Sequence, residues 1–343
     1  MLDENRWSNL DQLNQRREAE RILSDLPARA ALLSVEPHSY AGRQRTVATY
    51  DIAGQHFVLV PATEAKLGHD ASRSYEPTAE EAKLWQRTVG EAGLNPSLPE
   101  YLESIMTRPR TVEIPSLLVE LTPQEPGWFE LEADDPFTRD LIEDYLPADE
   151  DIRQKRVVTG SGTFRLRRTD DGTVIVKVFE PRTHADLAAE LATQQFRFPD
   201  PDEWEYLCGA GAQTIFRWGD HAPLDCLPTD ISADEAAWKQ RWVISGGKLP
   251  YPPDGFPSTW DLHRKPNAFR LFIATDPYQR ELTTDAKTTR GGDGGTAICG
   301  GAEGLHGWLA LATAYFDEQA CLRDPQAAIL AGYTVARRVF PLR

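Results

Sequence analysis

The sequence predicts an α+β fold, formed by one loop-rich domain with an added N-terminal helix. Two pairs of apolar, alternating segments flank short turns at residues 53–54 and 171–172, which is the pattern of β-hairpins. Capping residues mark helix starts at Thr78, Thr183 and Asp200. The chain also contains 25 Pro, 24 Gly and 9 Trp, a composition typical of irregular loops held by aromatic side chains.

Length and charge restrict the classes of function. A chain of 343 residues is long enough to bury a sizeable core. Its 53 acidic and 37 basic side chains give a net charge of −16, which opposes binding to phosphate backbones. The sequence lacks a long apolar span, and its first residues are acidic where a signal peptide is basic. We therefore expect a cytoplasmic protein with no nucleic-acid or membrane partner.

The N-terminal part of the chain predicts a helix. Residues 4–26 carry leucine and isoleucine at helical spacing, and Pro27 ends the pattern. We assign residues 1–44 to an N-terminal helical extension and residues 45–343 to the main domain. The main domain then opens with two strands, TVATYDI and HFVLV, that form the first hairpin.

The middle of the chain predicts two helices and a second hairpin. Thr78 and Glu81 form a capping-box pattern for a helix that ends at Gly93. Strands are expected at residues 163–168 and 173–179, on either side of the second turn. The segment HADLAAELATQQF, which begins after Thr183, has the spacing of an amphipathic helix.

A dense aromatic motif follows. Asp200 is placed to cap a helix from Pro201, whose apolar face carries Trp204, and Gly209 and Gly211 are expected to close it. The next residues, FRWGD, indicate a strand that runs into a turn and returns a second tryptophan toward the first. Both tryptophans are expected to lie in the core.

This motif resembles the signature of a known superfamily. The order R-[LF]-P-x-x-x-E-W-E-Y, followed by small residues and W-G-D, is similar to that of the formylglycine-generating enzymes, or sulfatase-modifying factors. The matching positions are Arg197, Pro199, Glu203, Trp204, Glu205, Tyr206, Trp218, Gly219 and Asp220. The resemblance implies a variant of the C-type lectin fold with little regular secondary structure.

Further segments continue the resemblance, in the same order, over roughly residues 55–340. VPATEAKLG is similar to the family's opening strand, and RTVEIPSLLVELTP is similar to its next conserved strand. Later matches are Pro266, Asn267, Phe269 and Leu271 for P-N-x-F-G-L, Arg290, Gly291 and Gly292 for R-G-G-S-W, and residues 332–337 for G-F-R-x-A-R. In terms of this resemblance, Arg197, Pro199, Glu203, Trp204, Glu205, Tyr206, Trp218, Asn267, Gly292 and Arg337 are structural residues.

The metal chemistry of the family is altered in this sequence. The family's oxidases hold copper with two cysteines five apart, a pair that suits soft copper(I). Here Cys299 lies three residues beyond the first of these positions, and Gly304 stands where the second would be. In the calcium segment, only Asp276 and Glu281 retain oxygen donors. We therefore predict no cofactor and no metal site, with calcium or copper as the remaining options.

The resemblance places a ligand groove after the R-G-G motif. The candidate groove residues are Arg290, Asp293, Cys299, Glu303, His306 and Trp308. Cys299, Glu303 and His306 could form a partial metal site, and a packed thiol beside an unrelated histidine is the competing interpretation. The cysteines Cys208, Cys226, Cys299 and Cys321 form no C-x-x-C pair and are expected to be free thiols.

These observations lead to a functional expectation with alternatives. We expect a divergent formylglycine-generating-enzyme-like protein that binds a peptide, a protein or a small molecule in the groove. The first alternative is a copper-dependent or non-haem-iron-dependent oxidase or oxygenase with a rearranged site around Cys299. The second is a structural subunit whose groove is blocked. Under the binding hypothesis, Cys299 is a packed thiol that alkylates slowly.

Overall fold

The structure, a computed structural model, is of mixed α+β class, as predicted. It describes residues 2–26, 29–71, 75–92, 97–147, 154–230, 232–245, 249–250, 252, 256, 260–302 and 304–342. The helices are α1 (Glu4–Asn9), α2 (Gln12–Ile22), α3 (Ala79–Ala92), α4 (Leu98–Ile105), α5 (Pro136–Tyr145), α6 (His184–Thr193), α7 (Pro201–Gly209), α8 (Ala233–Ile244), α9 (Thr296–Cys299), α10 (Gly304–Trp308) and α11 (Glu318–Cys321). The strands are β1 (Ala30–Tyr40), β2 (Arg43–Ile52), β3 (Gln55–Val60), β4 (Thr63–Leu67), β5 (Arg110–Ile114), β6 (Leu117–Glu120), β7 (Trp128–Glu130), β8 (Gln154–Thr159), β9 (Gly162–Arg168), β10 (Val174–Phe179), β11 (Arg280–Leu282), β12 (Thr289–Arg290), β13 (Thr334–Val335) and β14 (Val339–Pro341).

The largest sheet has the order β1-β2-β3-β6-β14 and is antiparallel throughout. The predicted first hairpin is confirmed as β2 and β3. At its turn, Ala53 and Gly54 have φ angles of 54° and 82°, the left-handed geometry that matches the twist of a tight hairpin. This sheet forms the centre of the domain.

The N-terminal prediction of a single helix is wrong, because Asp11 starts a second one. Its side chain accepts a hydrogen bond from the amide of Asn14, so α1 and α2 are separate helices. The helical extension also ends earlier than predicted, since residues 30–40 form β1 and pair with β2 along their length. The helices pack on this sheet through buried Trp7 and Ile22.

The predicted second hairpin is confirmed as β9 and β10, within a four-stranded sheet of order β7-β10-β9-β8. One face of this sheet is apolar. Its Phe164, Leu166 and Val176 pack against Leu141 of α5 and the following Leu146. The opposite face points away from α5 and carries charged side chains of β9 and β10.

Residues 110–123, expected as one strand, form two strands in different sheets. β5 pairs with β4, whereas β6 lies between β3 and β14. Pro115 separates them, and a proline has no N–H to continue a ladder of hydrogen bonds. The predicted capping box at Thr78 is present, and the predicted cap at Thr183 is a full capping box with Asp186. The predicted end at Gly93 lies outside the described residues.

Helix α7 contains the aromatic motif and lies at the centre of one hydrophobic cluster. Asp200 accepts a hydrogen bond from the Glu203 amide, and the Glu203 carboxylate accepts one from the Asp200 amide. Trp204 is fully buried. The helix ends at Gly209, as expected, but its C-cap is Ala210, which adopts the left-handed conformation with a φ of 48°.

The second tryptophan of the motif differs from the expectation. Trp218 is only half-buried, and its ring stacks on Phe216 with a centroid distance of 4.7 Å. Its indole N–H donates to the carbonyl of His221. Because Phe216 and Gly219 pair in a tight turn, the side chain emerges at the boundary between two hydrophobic clusters.

Candidate functional site

Three of the expected groove residues, Arg290, Asp293 and Trp308, are buried, and two of them pack in the core. Arg290 is 4% exposed, donates to the Tyr315 carbonyl and lies 3.7 Å from the carboxylate of Glu205. Trp308 is fully buried, and its indole N–H donates to the carbonyl of Cys226. Neither side chain is placed to contact a ligand at the surface.

Asp293 and Gly292 hold the loop that follows the R-G-G motif. The Asp293 carboxylate accepts hydrogen bonds from the amides of Gly295 and Ala297, at 2.7 and 2.8 Å. Gly292 has a φ of 66°, and a β-carbon there would lie 2.3 Å from the carbonyl oxygen of Gln279. The predicted structural role of Gly292 therefore has a direct physical reason, and Asp293 acts with it.

Cys299 is exposed, so its interpretation as a packed thiol is wrong. It ends the one-turn helix α9, and its sulfur lies 3.2 Å from the hydroxyl oxygen of Tyr278. The glycine-rich loop turns the helix outward, and the sequence pattern contained no periodicity from which this direction could be read.

We expect alkylation of the native protein by iodoacetamide to reach Cys299 well before Cys208 and Cys321. Burial raises the pKa of Cys208 to about 12 and that of Cys321 to about 11, so both thiols stay protonated as well as shielded. Peptide mass mapping over a time course measures the order. Equal rates for Cys299 and Cys208 would contradict the exposed position of α9.

His306 has a different set of neighbours from Cys299. Its Nε2 lies 3.1 Å from the hydroxyl of Tyr101, and its ring packs near Trp85. Burial lowers the pKa of this histidine. Glu303, the third member of the hypothetical metal site, lies outside the described residues. Within the described part of the chain, no group of three or more His, Cys, Asp or Glu side chains is arranged to hold a metal.

A buried histidine predicts acid sensitivity. His263 is fully buried and donates from Nε2 to the Pro228 carbonyl, and burial beside Arg264 holds its pKa well below 6.5. The unfolded chain, with an ordinary histidine pKa of about 6.5, binds the proton more readily. The contribution of the neutral His263 side chain to the stability of the fold is therefore complete above about pH 6.5. It is lost as the pH falls toward the lower pKa of this histidine in the folded state.

We expect urea unfolding to show a smaller loss of stability between pH 7.5 and 5.5 in His263→Gln than in the parent protein. A glutamine amide can still donate to the Pro228 carbonyl, but it does not titrate. His38, His69 and His306 also have pKa values lowered by burial, so part of the pH dependence remains. The same loss in both proteins would contradict the assignment to His263.

The two possible calcium donors are used within the protein. Glu281 is 3% exposed and pairs with Arg337, with 2.8 Å between Oε1 and Nε. Asp276 accepts a hydrogen bond from the amide of Tyr278. The cavity that Glu281 and Arg290 border has a volume of about 10 Å³, room for a single water molecule.

The expected structural residues form a connected network. Arg197 donates two hydrogen bonds to the Glu203 carboxylate, each 2.6 Å long, which agrees with the structural role expected of both residues. The Glu205 carboxylate accepts from the Gly68 amide and from Arg110. The buried Asn267 amide donates to the carbonyls of residues 207 and 208 at the end of α7.

A much larger cleft lies elsewhere, and the sequence analysis missed it. Its volume is about 890 Å³. It is bordered by the β1–β2 and β2–β3 turns, residues 120–125 after β6, the outward face of β9 and β10, and residues 262–272. The lining comes from segments far apart in sequence, which is why motif spacing did not reveal it.

The charged lining of the cleft is mainly basic. Among the residues that the structure describes, it contains Arg165, Arg167, Lys177, Lys265 and Arg270, against the two carboxylates Glu120 and Glu125. One local signal was available in the sequence. In TFRLRR and VIVKV, basic residues alternate with apolar ones, so a strand places them on one face, opposite the buried side.

Comparison with known proteins assigns no family. No protein-family profile matches the chain, and no curated protein matches it at a significant level. In the parts of the chain that the structure describes, no helix has the length and apolar character needed to cross a bilayer.

Proposed function

We propose that this chain is a divergent member of the formylglycine-generating-enzyme superfamily, with its C-type-lectin-like fold, and that it functions as a binding protein. The observation that carries this function is the cleft of about 890 Å³. This volume falls within the roughly 300–1,000 Å³ of ligand sites in proteins. A peptide, a segment of another protein or a small molecule would occupy this cleft, and not the region around Cys299 where the groove was expected.

The family assignment is supported by the way the motif residues contact one another. Arg197 and Glu203 pair at the start of α7, Asn267 binds the carbonyls at its end, and Arg337 pairs with Glu281. Residues far apart in sequence thus stabilise α7 and the loops next to it. Such a network is what a retained scaffold with an altered site would contain.

A fragment screen by ligand-observed NMR tests the binding function. The library contains neutral and anionic fragments, and the variant Ile175→Trp fills the cleft from the half-buried position on β10. The control is Val158→Trp, a strand residue that is 72% exposed and does not line the cleft. We expect fragments to bind the parent and the control but to lose binding in Ile175→Trp. Absence of binding, or equal binding to both variants, would refute the function.

The oxidoreductase alternative keeps one supporting observation, which is the exposed thiol of Cys299 beside the Tyr278 hydroxyl. Copper and iron analysis of protein purified without a metal-binding tag, with oxygen consumption measured on a thiol substrate, tests it. Stoichiometric copper and oxygen uptake that both disappear in Cys299→Ser would make the oxidase the better assignment.

A further inference from the structure

Taking the binding function proposed above as its basis, we propose that the cleft selects an anionic small molecule. The ligand would present a carboxylate or a phosphate to the outward face of the four-stranded sheet. An apolar or aromatic body would complete it. The anion subsite comprises Arg165, Arg167 and Lys177, which lie on β9 and β10.

The alternation of side chains along the strands separates this subsite from the core. Phe164 and Leu166 of β9 are buried against α5, so Arg165 and Arg167 emerge on the opposite face. On β10, Val176 is buried on the α5 side, and its neighbour Lys177 faces the cleft. One face of the sheet therefore stabilises the fold, and the other presents positive charge to the cleft.

The strand register places cations directly opposite one another. Arg165 is aligned with Arg156 on β8 and with Lys177 on β10. Like charges in directly opposed positions destabilise a sheet. A bound anion would remove this repulsion, which gives the arrangement a physical reason.

A carboxylate near this row already engages Arg165. Arg165 donates to Glu125 at 2.6 Å and stacks over the ring of Trp128 at 4.3 Å. Glu120, the other acidic residue of the lining, is 2% exposed and is engaged by Arg338. In the described residues, no carboxylate lies within ion-pair distance of the Lys177 ammonium. Lys177 is thus the side chain most available to a ligand.

The opposite wall adds positive charge. Lys265 pairs with Asp261 at 3.1 Å, and Arg270 lies 3.7 Å from Glu36 in a pair whose side chains are 37% and 59% exposed. Such exposed pairs are weak, so Arg270 can turn to a stronger acceptor. Among the described residues of the lining, five are cationic and two are acidic, in a protein whose net charge is −16. A field of this sign concentrates small anions in the cleft.

Apolar side chains define the rest of the ligand. Ile175 lies next to the cationic row, and Trp242, Leu262 and Phe272 border the same cleft. Ligand sites commonly combine an apolar lining with a few polar groups that fix orientation. An aromatic carboxylate or an aromatic phosphate ester has both features, and the volume suits a molecule of that kind.

Three probes test the charge requirement by NMR titration: phenylacetate, its neutral counterpart phenylacetamide, and phenyl phosphate. We expect both anions to bind more tightly than the amide, with an affinity that falls as salt is added. The anion that binds more tightly shows whether the site prefers a carboxylate or a phosphate. Lys177→Gln should weaken anion binding about tenfold, the effect of losing one charge-assisted contact.

The matched control is Lys66→Gln, because Lys66 is an exposed strand lysine that does not line the cleft. Anion affinity in this variant should equal that of the parent. Thermal melting provides a second measurement. Lys177→Gln should melt at the same or a higher temperature, since the repulsion with Arg165 is removed. Weaker binding in a variant that is no less stable excludes misfolding as the cause.

Two outcomes separate this inference from the binding function itself. If phenylacetamide binds as tightly as phenylacetate and Lys177→Gln has no effect, the anion preference is wrong, although the cleft remains a binding site. If the fragment screen also shows no difference between Ile175→Trp and Val158→Trp, the binding function fails as well. Tighter binding of a hexaglutamate peptide than of either small anion would overturn the small-molecule class.

Discussion

Arg337→Met is expected to lower the free energy of unfolding by about 3–5 kcal/mol, the cost of leaving a buried charge without its partner. Arg337 is fully buried, and Glu281, its partner, is 3% exposed. The guanidinium also donates to the backbone carbonyls of Glu120, Leu121 and Phe272. Methionine fills much of the volume but replaces none of these hydrogen bonds.

Urea unfolding followed by tryptophan fluorescence measures the effect. The control is Arg16→Met, which removes an exposed pair with Glu20 in α2, worth about 0.3–0.5 kcal/mol. The double variant Arg337→Met with Glu281→Leu should be more stable than Arg337→Met alone, because no unpaired carboxylate remains. A loss as small as that of the control would show that Arg337 is not the buried link between β6, Phe272 and β11.

The parts of the fold that could be predicted are those specified by neighbouring residues. The turns at 53–54 and 171–172 and the caps at Thr78, Thr183 and Asp200 each depend on a few adjacent side chains. Local backbone preference and capping specify these features without reference to tertiary contacts. They were therefore readable from the sequence.

Strand β1 could not be predicted in the same way. It contains Pro37, which normally argues against a strand because it cannot donate a ladder hydrogen bond. The structure places β1 at the edge of its sheet, with Pro37 opposite Thr46, and an edge strand needs only one paired side. The position in the sheet, which is a tertiary property, permits the proline.

The candidate site was harder to predict than the fold. Motif spacing identified residues that hold the scaffold, such as Arg290 and Trp308, and assigned them to a groove. The cationic face of β9 and β10 was present in the sequence as an alternating pattern, but its role depends on the distant segments that close the cleft. The alternation of apolar and basic residues shows which side chains share one face of the sheet. Whether that face borders a cleft depends on how the other elements pack around it.

Trp204→Ala is the second change with a large expected effect, a loss of about 3–5 kcal/mol for a fully buried aromatic side chain. Trp204 has no exposed surface, and the loop of the R-G-G motif packs directly on its ring. A β-carbon at Gly291 would lie 2.9 Å from that ring. Removing the indole therefore leaves a cavity between α7 and a loop that depends on it for support.

Trp260→Ala and Trp218→Ala serve as graded controls, since Trp260 is 36% exposed and Trp218 is half-buried. The melting temperature should fall most for Trp204→Ala, less for Trp218→Ala and least for Trp260→Ala, in the order of the area that each ring buries. Because the cavity lies beneath residues 290–292, hydrogen exchange in that loop should also accelerate in Trp204→Ala. An unchanged melting temperature in Trp204→Ala would show that α7 does not stabilise the core. The resemblance would then lose its structural basis.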